Sequence, residues 1–383
     1  MQLHDTRTRS TSTFVPAATV RLYVCGITPY DSAHLGHAFT YTVFDVLIRH
    51  LEAKGHRVRY VRNVTDLDDD ILRTAAARDV NFEVLARTEA AAFDTNLRRL
   101  GLRDADVIPY ATETVPAMIP MVQGLLDREL AYQLPDGRVY ADTGQMEGFL
   151  SFSRLDRETA LEQFAEKGGD PDAAGKNDPL DFLLWQPSAP GEPGWVTPWG
   201  DPSITGRPGW HLECSVMAME HLGNVIDIHG GGNDLIFPHH EAEILQSEGL
   251  TGQGPFAGVW MHVGMVALED VKMSKSLGNL VFLGDLLDRY SPWAVRHLLL
   301  RNHYRSGWTY TEESMMASAE AAAALESAPA GDAGRADALR DAVAKRLDDD
   351  LDTPAALALI DDAVADGDGD AARRAAELLG YAA

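Results

Sequence analysis

Two short motifs that lie far apart in the chain carry side chains suited to nucleotide chemistry. The first is His34-Leu35-Gly36-His37, whose two imidazoles could donate hydrogen bonds to phosphate oxygens as charge builds during attack at an α-phosphorus. The second is Lys272-Met273-Ser274-Lys275-Ser276, whose lysines and hydroxyls could form a mobile clamp on a triphosphate. Taken singly, the first motif is also typical of a capped or exposed helix start, and the second of a solvated loop.

A third set of side chains could hold a metal ion. It supplies two thiolates, an imidazole and a carboxylate, which are all accepted zinc ligands. The four residues are Cys25, Cys214, His239 and Glu243. His239 and Glu243 are four positions apart, on one face of the helix predicted there. The cysteines lie far from them in sequence, so the spacing is weak evidence, and free cysteines are more often buried structural thiols.

The first motif follows a predicted strand and opens a predicted helix. Residues 20–25 form a short apolar run typical of a buried strand, which Gly26 and Pro29 interrupt. Helical spacing of apolar side chains then covers residues 35–51. The free N–H groups and the dipole of a helix start favour phosphate, and Gly36 lets a nucleotide approach the backbone closely. We therefore expect a nucleotide site at this turn.

A second strand is predicted over residues 57–64, where polar and apolar residues alternate. The acidic run that follows, TDLDDD over residues 65–70, would cap the next helix. Capping alone could explain this run. In a parallel nucleotide-binding sheet, however, Asn63, Val64 and Thr65 would lie at a carboxyl end, where such sheets bind ligands.

The middle of the chain reads as an insertion. Residues 81–133 predict two amphipathic helices with Pro109 and Pro116 between them, and residues 138–141 a short strand. The stretch 165–209 is rich in glycine and proline. Its three tryptophans argue against disorder, so we expect an ordered loop packed over the site.

A dense segment follows over residues 210–248. WHLECSVMAMEHL predicts a helix, NVIDIHGGGND a strand ending in a glycine turn, and PHHEAEILQSE a helix beginning at its proline. Gly230 to Gly232, followed by Asp234, would let backbone and carboxylate approach a small ligand. From Trp293 the pattern is helical and alanine-rich, with a linker over residues 327–334.

Composition sets broader limits. The chain has 383 residues, of which 45% are hydrophobic, and a formal net charge of −25 from 33 basic and 58 acidic residues. The tail 311–383 alone carries 17 acidic and 6 basic residues and should repel RNA, since nucleic-acid binding depends on phosphate neutralisation. No run approaches the ~18 apolar residues of a membrane helix, and the first residues lack the apolar core of a signal peptide. We expect a cytoplasmic protein without disulfides.

Together and in this order, the HLGH and KMSKS motifs resemble the signatures of class I aminoacyl-tRNA synthetases. The stretches YVCGITPYD, GWHLEC, DIHGGGNDLIFPHHEAE and KMSKSLGN are similar to the cysteine-activating branch of that class, which includes cysteinyl-tRNA synthetases and mycothiol cysteine ligases. The resemblance covers nearly the whole chain from Val20. It implies an α/β, Rossmann-like class I catalytic domain at 1–290, with a helical insertion at about 75–200, and a small C-terminal helical domain at 291–383.

The resemblance also implies roles for matching residues. Zinc would bind Cys25, Cys214 and His239 and select the substrate thiol over a serine hydroxyl, with Glu243 matching the fourth ligand of the synthetases. Phosphate charge on ATP, which Mg²⁺ accompanies, would be stabilised by His34, His37, Lys272 and Lys275. The adenylate would contact Gly26, Ile27, Thr28, Thr40, Asn63, Val64, Thr65, Trp210, Gly232, Asn233, Asp234, Val266 and Lys272, Met273, Ser274, Lys275 and Ser276. Asp31 could orient an ammonium group or be a turn residue.

The two groups of the branch differ in the acceptor of the cysteinyl group, which is a tRNA hydroxyl or the amine of glucosaminyl-inositol (GlcN-Ins). Residues 166–171, EKGGDP, resemble a ligase signature, and Pro29 stands where synthetases commonly have an aliphatic residue. The acidic tail opposes RNA binding, and the chain ends soon after residues 348–359, so we expect no anticodon-binding domain. Glu243 departs from this pattern, because the ligases usually lack a carboxylate there.

These features favour a monomeric ligase that uses L-cysteine, ATP and an amino sugar such as GlcN-Ins, with no nucleic-acid or membrane partner. The alternatives are a truncated cysteinyl-tRNA synthetase, a paralogue that cysteinylates another amine, and an inactive sensor of cysteine or nucleotide.

Overall fold

The structure is a computed structural model that describes residues 1–29, 33–268, 271–272, 280–331 and 333–382. Its strands are β1 (Gln2–Asp5), β2 (Ser10–Thr13), β3 (Thr19–Ile27), β4 (Arg57–Val64), β5 (Ala131–Gln133), β6 (Val139–Ala141), β7 (Leu183–Pro187), β8 (Gly206–Pro208), β9 (Ile226–Gly232), β10 (Ala257–Val263), β11 (Val266–Leu268), β12 (Val271–Lys272) and β13 (Trp308–Tyr310). Its α-helices are α1 (Leu35–Ala53), α2 (Asp69–Arg78), α3 (Phe82–Arg99), α4 (Ala111–Asp127), α5 (Arg157–Glu166), α6 (Trp210–Leu222), α7 (Glu241–Thr251), α8 (Leu283–Arg289), α9 (Pro292–Leu300), α10 (Glu312–Ser327), α11 (Ala336–Leu347), α12 (Thr353–Ala365) and α13 (Gly369–Ala376).

A parallel four-stranded sheet carries the site. Its strand order is β10-β9-β3-β4, and all three pairings are parallel. Helix α1 connects β3 to β4, and α7 connects β9 to β10. The strand order therefore reverses between β3 and β9, and open α/β sheets bind ligands at the carboxyl ends beside such a reversal. The predicted α/β fold is confirmed, and the four predicted strands correspond to β3, β4, β6 and β9. Gly26 does not interrupt the first of them, because β3 continues through it to Ile27.

Helix α1 is the central packing element of this sheet. Its predicted start at Leu35 is confirmed, and it extends two residues beyond the predicted end to Ala53. His34 caps it, since its ring accepts a hydrogen bond from the His37 backbone N–H at 3.4 Å. The buried face includes Phe39 and Phe44, which join the same hydrophobic cluster as β3, β4 and α9. Burial of this face holds the two histidines at the edge of the sheet.

The predicted acidic cap and the parallel pairing of β4 are confirmed. The Asp68 side chain accepts a hydrogen bond from the Asp70 N–H at 2.7 Å at the start of α2. Asn63 and Val64 end a strand that runs parallel to β3, and Thr65 follows it directly.

The insertion differs from its prediction at one proline. Pro116 was expected between two helices, but it lies inside α4 together with Pro120. A proline removes a backbone hydrogen bond within a helix. Helix α4 continues because its apolar face is buried: Val115 and Met118 are fully buried in a second hydrophobic cluster that includes α6.

The glycine- and proline-rich stretch 165–209 is ordered, as predicted, but it is not only a loop. It contributes β7 and β8 to an antiparallel sheet of order β5-β6-β7-β8. Trp185 and Trp199 pack edge to face with ring centroids 5.6 Å apart, and both are buried. Trp195 bridges to Gly206. These contacts place the stretch against the start of α6.

Several strands were not predicted, and three of them lie in segments expected to be irregular or helical. The hairpin β1–β2 forms from the polar N-terminal segment, and β13 interrupts the helical C-terminal region by pairing parallel to β11. Each has only three or four residues, too few for a periodic pattern to show in the sequence. Among the described residues, no helix has both the length and the apolar character needed to cross a membrane.

A buried ion pair joins α1 to the C-terminal helices. Arg296 donates to the Asp45 carboxylate at 2.6 Å and to the backbone carbonyl of Leu379 at 2.8 Å, and both side chains are at most 2% exposed. Burial alone raises the pKa of Asp45, but the positive charges of Arg296 and Arg49 outweigh burial, so the pKa lies below its ordinary value. The carboxylate therefore stabilises the fold in its charged form.

We expect Asp45→Asn to lower the free energy of unfolding by about 3 to 5 kcal/mol at neutral pH, because it leaves a buried guanidinium without its counter-charge. The contribution is present above the ordinary pKa of an aspartate and disappears as the pH falls through the lowered pKa of the folded state. Urea denaturation at pH 7 and below pH 4 measures this, with the exposed Asp362→Asn as control. A difference from the unaltered protein that does not shrink in acid would contradict the ion-pair assignment.

Candidate active site

A cavity of about 200 Å³ opens at the carboxyl ends of β3 and β9, where the strand order reverses. Seven of the residues predicted to contact ATP or the adenylate line it: Gly26, His34, His37, Thr40, Gly232, Asp234 and Val266. Cys25 lies in the same wall. The structure therefore brings together both histidines of the first motif, the glycine turn after β9 and one predicted metal ligand.

The two histidines lie on the first turn of α1 with their rings stacked. Their centroids are 3.7 Å apart and the ring planes differ by 22°. The edge of the His37 ring also packs against Phe93 of α3, at a centroid distance of 5.7 Å. Both imidazoles are held at a helix N-terminus beside the cavity, where the helix dipole favours an anion.

Gly26 marks the closest approach between β3 and β4. The side-chain oxygen of Asn63 accepts a hydrogen bond from the Gly26 N–H at 2.7 Å. A Cβ at Gly26 would lie 1.6 Å from the backbone oxygen of Asn63, so no larger residue fits without displacing the strand. The Asn63 amide also donates to the Thr65 hydroxyl at 3.1 Å. Asn63 and Thr65 thus support Gly26, which lines the cavity.

The remaining predicted contacts take other positions. Ile27, Val64 and Thr65 are buried at the ends of their strands, Thr28 is half-buried, and Asn233 is exposed after β9. Trp210 lines a neighbouring cavity, which also contacts residues 167–170. The backbone of Lys272 pairs with Ala267 in β12. Met273, Ser274, Lys275 and Ser276 lie outside the described residues, as does Asp31.

The four predicted metal ligands converge behind the cavity. Donor atoms of Cys25, Cys214, His239 and Glu243 all lie within 4.8 Å of one another, and all four residues are buried. The Cys25 thiol is 3.6 Å from the Glu243 carboxylate, and His239 Nε2 is 3.2 Å from the same oxygen. The cysteines come from β3 and α6, and the carboxylate from α7.

The helix predicted to begin at Pro238 is assigned in two parts, a distorted turn over Ile236–His240 and α7 from Glu241. Phe237 is the residue of that turn with a non-helical, extended backbone, so the backbone is helical from Pro238 into α7, as the sequence predicts. His239 and Glu243 are therefore four positions apart on this helical backbone, and their side chains meet at 3.2 Å.

A chain of buried histidines surrounds the cluster and was not predicted. His229 Nε2 lies 2.9 Å from Glu243, and His240 Nε2 lies 3.3 Å from the Cys25 sulfur. The other ring nitrogen of His240 is 2.7 Å from His262. His229 and His262 belong to the neighbouring parallel strands β9 and β10, so a histidine near the end of each strand was the available signal.

These histidines offer a second, overlapping donor set. Cys25, His229, His240 and Glu243 also have donor atoms within 4.8 Å of one another. The two sets share Cys25 and Glu243 and differ in whether Cys214 takes part. The structure therefore defines a testable choice of metal position.

The electrostatics of the cluster fit a divalent cation. Burial, with Cys214 next to it, raises the pKa of the Cys25 thiol, and burial likewise raises the pKa of the Glu243 carboxyl. Burial lowers the pKa of His239. These groups all resist charging in a dry site, and a bound cation would favour the thiolate and carboxylate forms. Two sulfurs, an imidazole and a carboxylate are a donor set that zinc accepts.

Comparison with known proteins identifies relatives along nearly the whole chain. A family model described as "tRNA synthetases class I (C) catalytic domain" matches residues 12–320. A Thermobifida fusca protein named "L-cysteine:1D-myo-inositol 2-amino-2-deoxy-alpha-D-glucopyranoside ligase" is 44% identical over 380 residues, which cover 97% of this chain and 90% of that protein. A protein of the same name from Actinosynnema mirum is 45% identical over 374 residues, or 94% of this chain and 88% of the relative.

Among solved structures, Mycobacterium tuberculosis methionyl-tRNA synthetase in complex with methionyl-adenylate aligns with a TM-score of 0.66. The alignment covers 94% of this chain and 89% of that one at 16% sequence identity. This likeness concerns the fold, and it agrees with the parallel sheet.

Proposed function

Because this chain belongs to the tRNA synthetase class I (C) catalytic-domain family, we propose that it is an ATP-dependent ligase that joins L-cysteine to the amine of GlcN-Ins. The observation that carries the proposal is a set of buried thiol, imidazole and carboxylate donors opening on a nucleotide cavity. The printed name of the relatives at 44–45% identity describes this ligation and supports the choice of acceptor.

In the first half of the reaction, a carboxylate oxygen of cysteine attacks the α-phosphorus of ATP, and pyrophosphate leaves. His34 and His37 lie at the α1 N-terminus, where they can donate hydrogen bonds to the phosphate oxygens that gain charge. Mg²⁺ would accompany ATP. Gly26 lines the same cavity, where it would contact the adenylate. Lys272 and Lys275 would complete the phosphate contacts, as the sequence predicts.

The metal would be held by Cys25, Cys214, His239 and Glu243 at the base of the cavity. Zinc, when bound, would prefer a thiolate to a serine hydroxyl and so would supply specificity for cysteine. The buried protein side chains orient the ligands and exclude water from this end of the cavity.

In the second half, the lone pair of the acceptor amine attacks the carbonyl carbon of cysteinyl-AMP. A C–N bond forms, the bond from the carbonyl carbon to the phosphate oxygen breaks, and AMP leaves with the electron pair. The ammonium proton is released, so the product is an amide. A tRNA hydroxyl would give an ester instead, and the acidic tail at 311–383 disfavours RNA.

A side-by-side transfer assay tests this proposal. Purified protein receives ATP, Mg²⁺ and labelled cysteine with either GlcN-Ins or unmodified tRNA, and the acyl product is followed. We expect amide with the sugar alone. Label on tRNA, weakened by salt, would favour a short synthetase. Adenylate with neither acceptor would indicate another amine, and no cysteine-dependent ATP–pyrophosphate exchange would indicate a sensor.

We further propose that residues 1–290 form the catalytic domain, with its insertion at about 75–200, and residues 291–383 the C-terminal helical domain. The antiparallel sheet of 131–208 supports the insertion, since it is separate from the parallel sheet. We also propose that the protein is a cytoplasmic monomer, as predicted from the sequence. Gel filtration with light scattering would test the oligomeric state.

A further inference from the structure

A second cavity, of about 270 Å³, lies between the insertion and the parallel sheet. Its walls come from the loop after β4, strand β6, the loop 167–170 after α5, and the first turn of α6. The volume is close to the lower end of small-molecule sites, which run from about 300 to about 1,000 Å³. The proposed adenylation chemistry uses this cavity only at Trp210.

Trp210 and Lys167, which line this cavity, also contact residues of the site of adenylation and of the donor cluster. The Trp210 ring stacks on His239, with centroids 4.3 Å apart and planes 23° from parallel. Lys167 donates hydrogen bonds to the backbone carbonyls of Asp234, at 2.6 Å, and of Phe237. Since Asp234 also lines the nucleotide cavity, Lys167 directly links the linings of the two cavities.

The cationic side chains of the second cavity are already engaged by the protein. Arg207 pairs with Asp69 and with Glu192, the latter at 3.2 Å. Arg138 pairs with Asp136 at 2.7 Å. The two lysines of the lining donate to backbone carbonyls. An anionic ligand would therefore have to displace existing partners.

Glu213, by contrast, offers the cavity a hydrogen-bond acceptor that is not already engaged by the described residues of the protein. This residue of α6 lines the cavity, is 1% exposed, and its Oε2 atom has no hydrogen-bond partner among the residues that the structure describes. A buried acceptor left without a donor is costly, so such an atom indicates a ligand that donates hydrogen bonds. Asp68 and Asp170 add further carboxylates to the lining.

Aromatic rings complete the lining. Tyr140, Phe164 and Phe182 present apolar surface to the cavity beside these polar groups. Apolar walls with a few placed polar groups are the usual composition of small-molecule sites. A ring-shaped polyol fits both, because it offers C–H faces to the aromatic rings and hydroxyl donors to the carboxylates.

We propose that this second cavity binds the acceptor, a polyhydroxylated amine, with its amino group directed to Oε2 of Glu213. This inference rests on the proposed function and specifies the place of its second substrate. The acceptor nitrogen would reach the cysteinyl carbonyl past Trp210. The amide then forms by the bond changes described for the second half of the reaction. Glu213 acts as a binding and positioning residue for the amine.

Glu213→Gln tests the inference, because it keeps the shape of the side chain and replaces one carboxyl oxygen with an amide NH₂ group, which cannot accept a hydrogen bond. We expect the KM for GlcN-Ins to rise about tenfold or more, since the hydrogen bond accepted from the amino group is lost. Any loss in cysteine-dependent ATP–pyrophosphate exchange should be much smaller than the loss in transfer. Asp170→Asn, on the exposed loop 167–170, should raise the same KM by a smaller factor with the fold intact.

The matched control is Glu147→Gln, which changes an exposed glutamate lining a different cavity, beside α7. It should leave the KM for GlcN-Ins as in the unaltered enzyme. If the KM for GlcN-Ins is unchanged in both Glu213→Gln and Asp170→Asn, the proposed acceptor site is wrong. The proposed ligase function would still stand if the unaltered enzyme forms the amide. Equal losses of exchange and transfer in Glu213→Gln would also overturn the acceptor site, as a purely structural effect. No amide from the unaltered enzyme would overturn both proposals.

Discussion

A Cys214→Ser variant should lose most of its bound zinc, and its cysteine-dependent ATP–pyrophosphate exchange should fall by about 100-fold or more, since changes to the outer partners of a metal ligand alone cost about 10- to 100-fold. A serine hydroxyl is a poor substitute because zinc binds the thiolate form. Cys214 is 2% exposed, and its sulfur lies within 4.8 Å of the donor atoms of Cys25, His239 and Glu243. Metal analysis of the purified protein and exchange kinetics measure the two effects.

The overlapping donor set makes His240→Asn an informative partner variant. If zinc binds the set that contains Cys214, His240→Asn should retain more metal than Cys214→Ser. The opposite order would move the metal to Cys25, His229, His240 and Glu243. Glu220→Gln, an exposed change on the same helix as Cys214, controls for effects on α6. Normal cysteine-dependent exchange by a zinc-free Cys214→Ser protein would contradict the role of the metal.

A His37→Ala variant should slow the formation of cysteinyl-AMP by about 100-fold, which is the usual cost of removing one donor to a developing charge. His37 lines the nucleotide cavity on the first turn of α1, stacked on His34. The variant should keep its zinc, because neither histidine belongs to the donor cluster. Single-turnover measurement of adenylate with saturating ATP and cysteine separates this step from product release.

His37→Asn refines the same prediction, since an asparagine amide keeps one hydrogen-bond donor near the ring position. It should recover part of the rate lost in His37→Ala. His221→Ala, at the end of α6 and away from the cavity, is the matched histidine control. Adenylation at the normal rate in His37→Ala would show that the motif caps the helix and does no more.

The sequence predicted the elements whose pattern is local. Strand β4 has the predicted limits, helix α6 spans the predicted thirteen residues, and α1 begins at the predicted residue. Periodic burial and helix capping depend on neighbouring residues, so they can be recognised without the fold. The α/β class and the placement of the first motif at a helix start followed from the same signals. The roles of the predicted site residues stay predictions.

Local pattern was a poor guide where tertiary packing outweighed it. Pro116 lies within α4 because the buried apolar face stabilises the helix around it. The short strands β1, β2 and β13 depend on partners distant in sequence. These strands are too short to show an alternating pattern of polar and apolar residues in the sequence.

Two properties of the site were decided by the tertiary structure. The sequence supplied Cys25, Cys214 and Glu243 as suitable ligands, but only the parallel pairing of β9 with β3, and the packing of α6 and α7 beside it, brings their donor atoms within 4.8 Å. The second cavity exists only between the insertion and the sheet, so no single stretch could predict it. The chemical type of each residue is given by the sequence. The distances between these residues, on which a site depends, are set by contacts between segments remote in sequence.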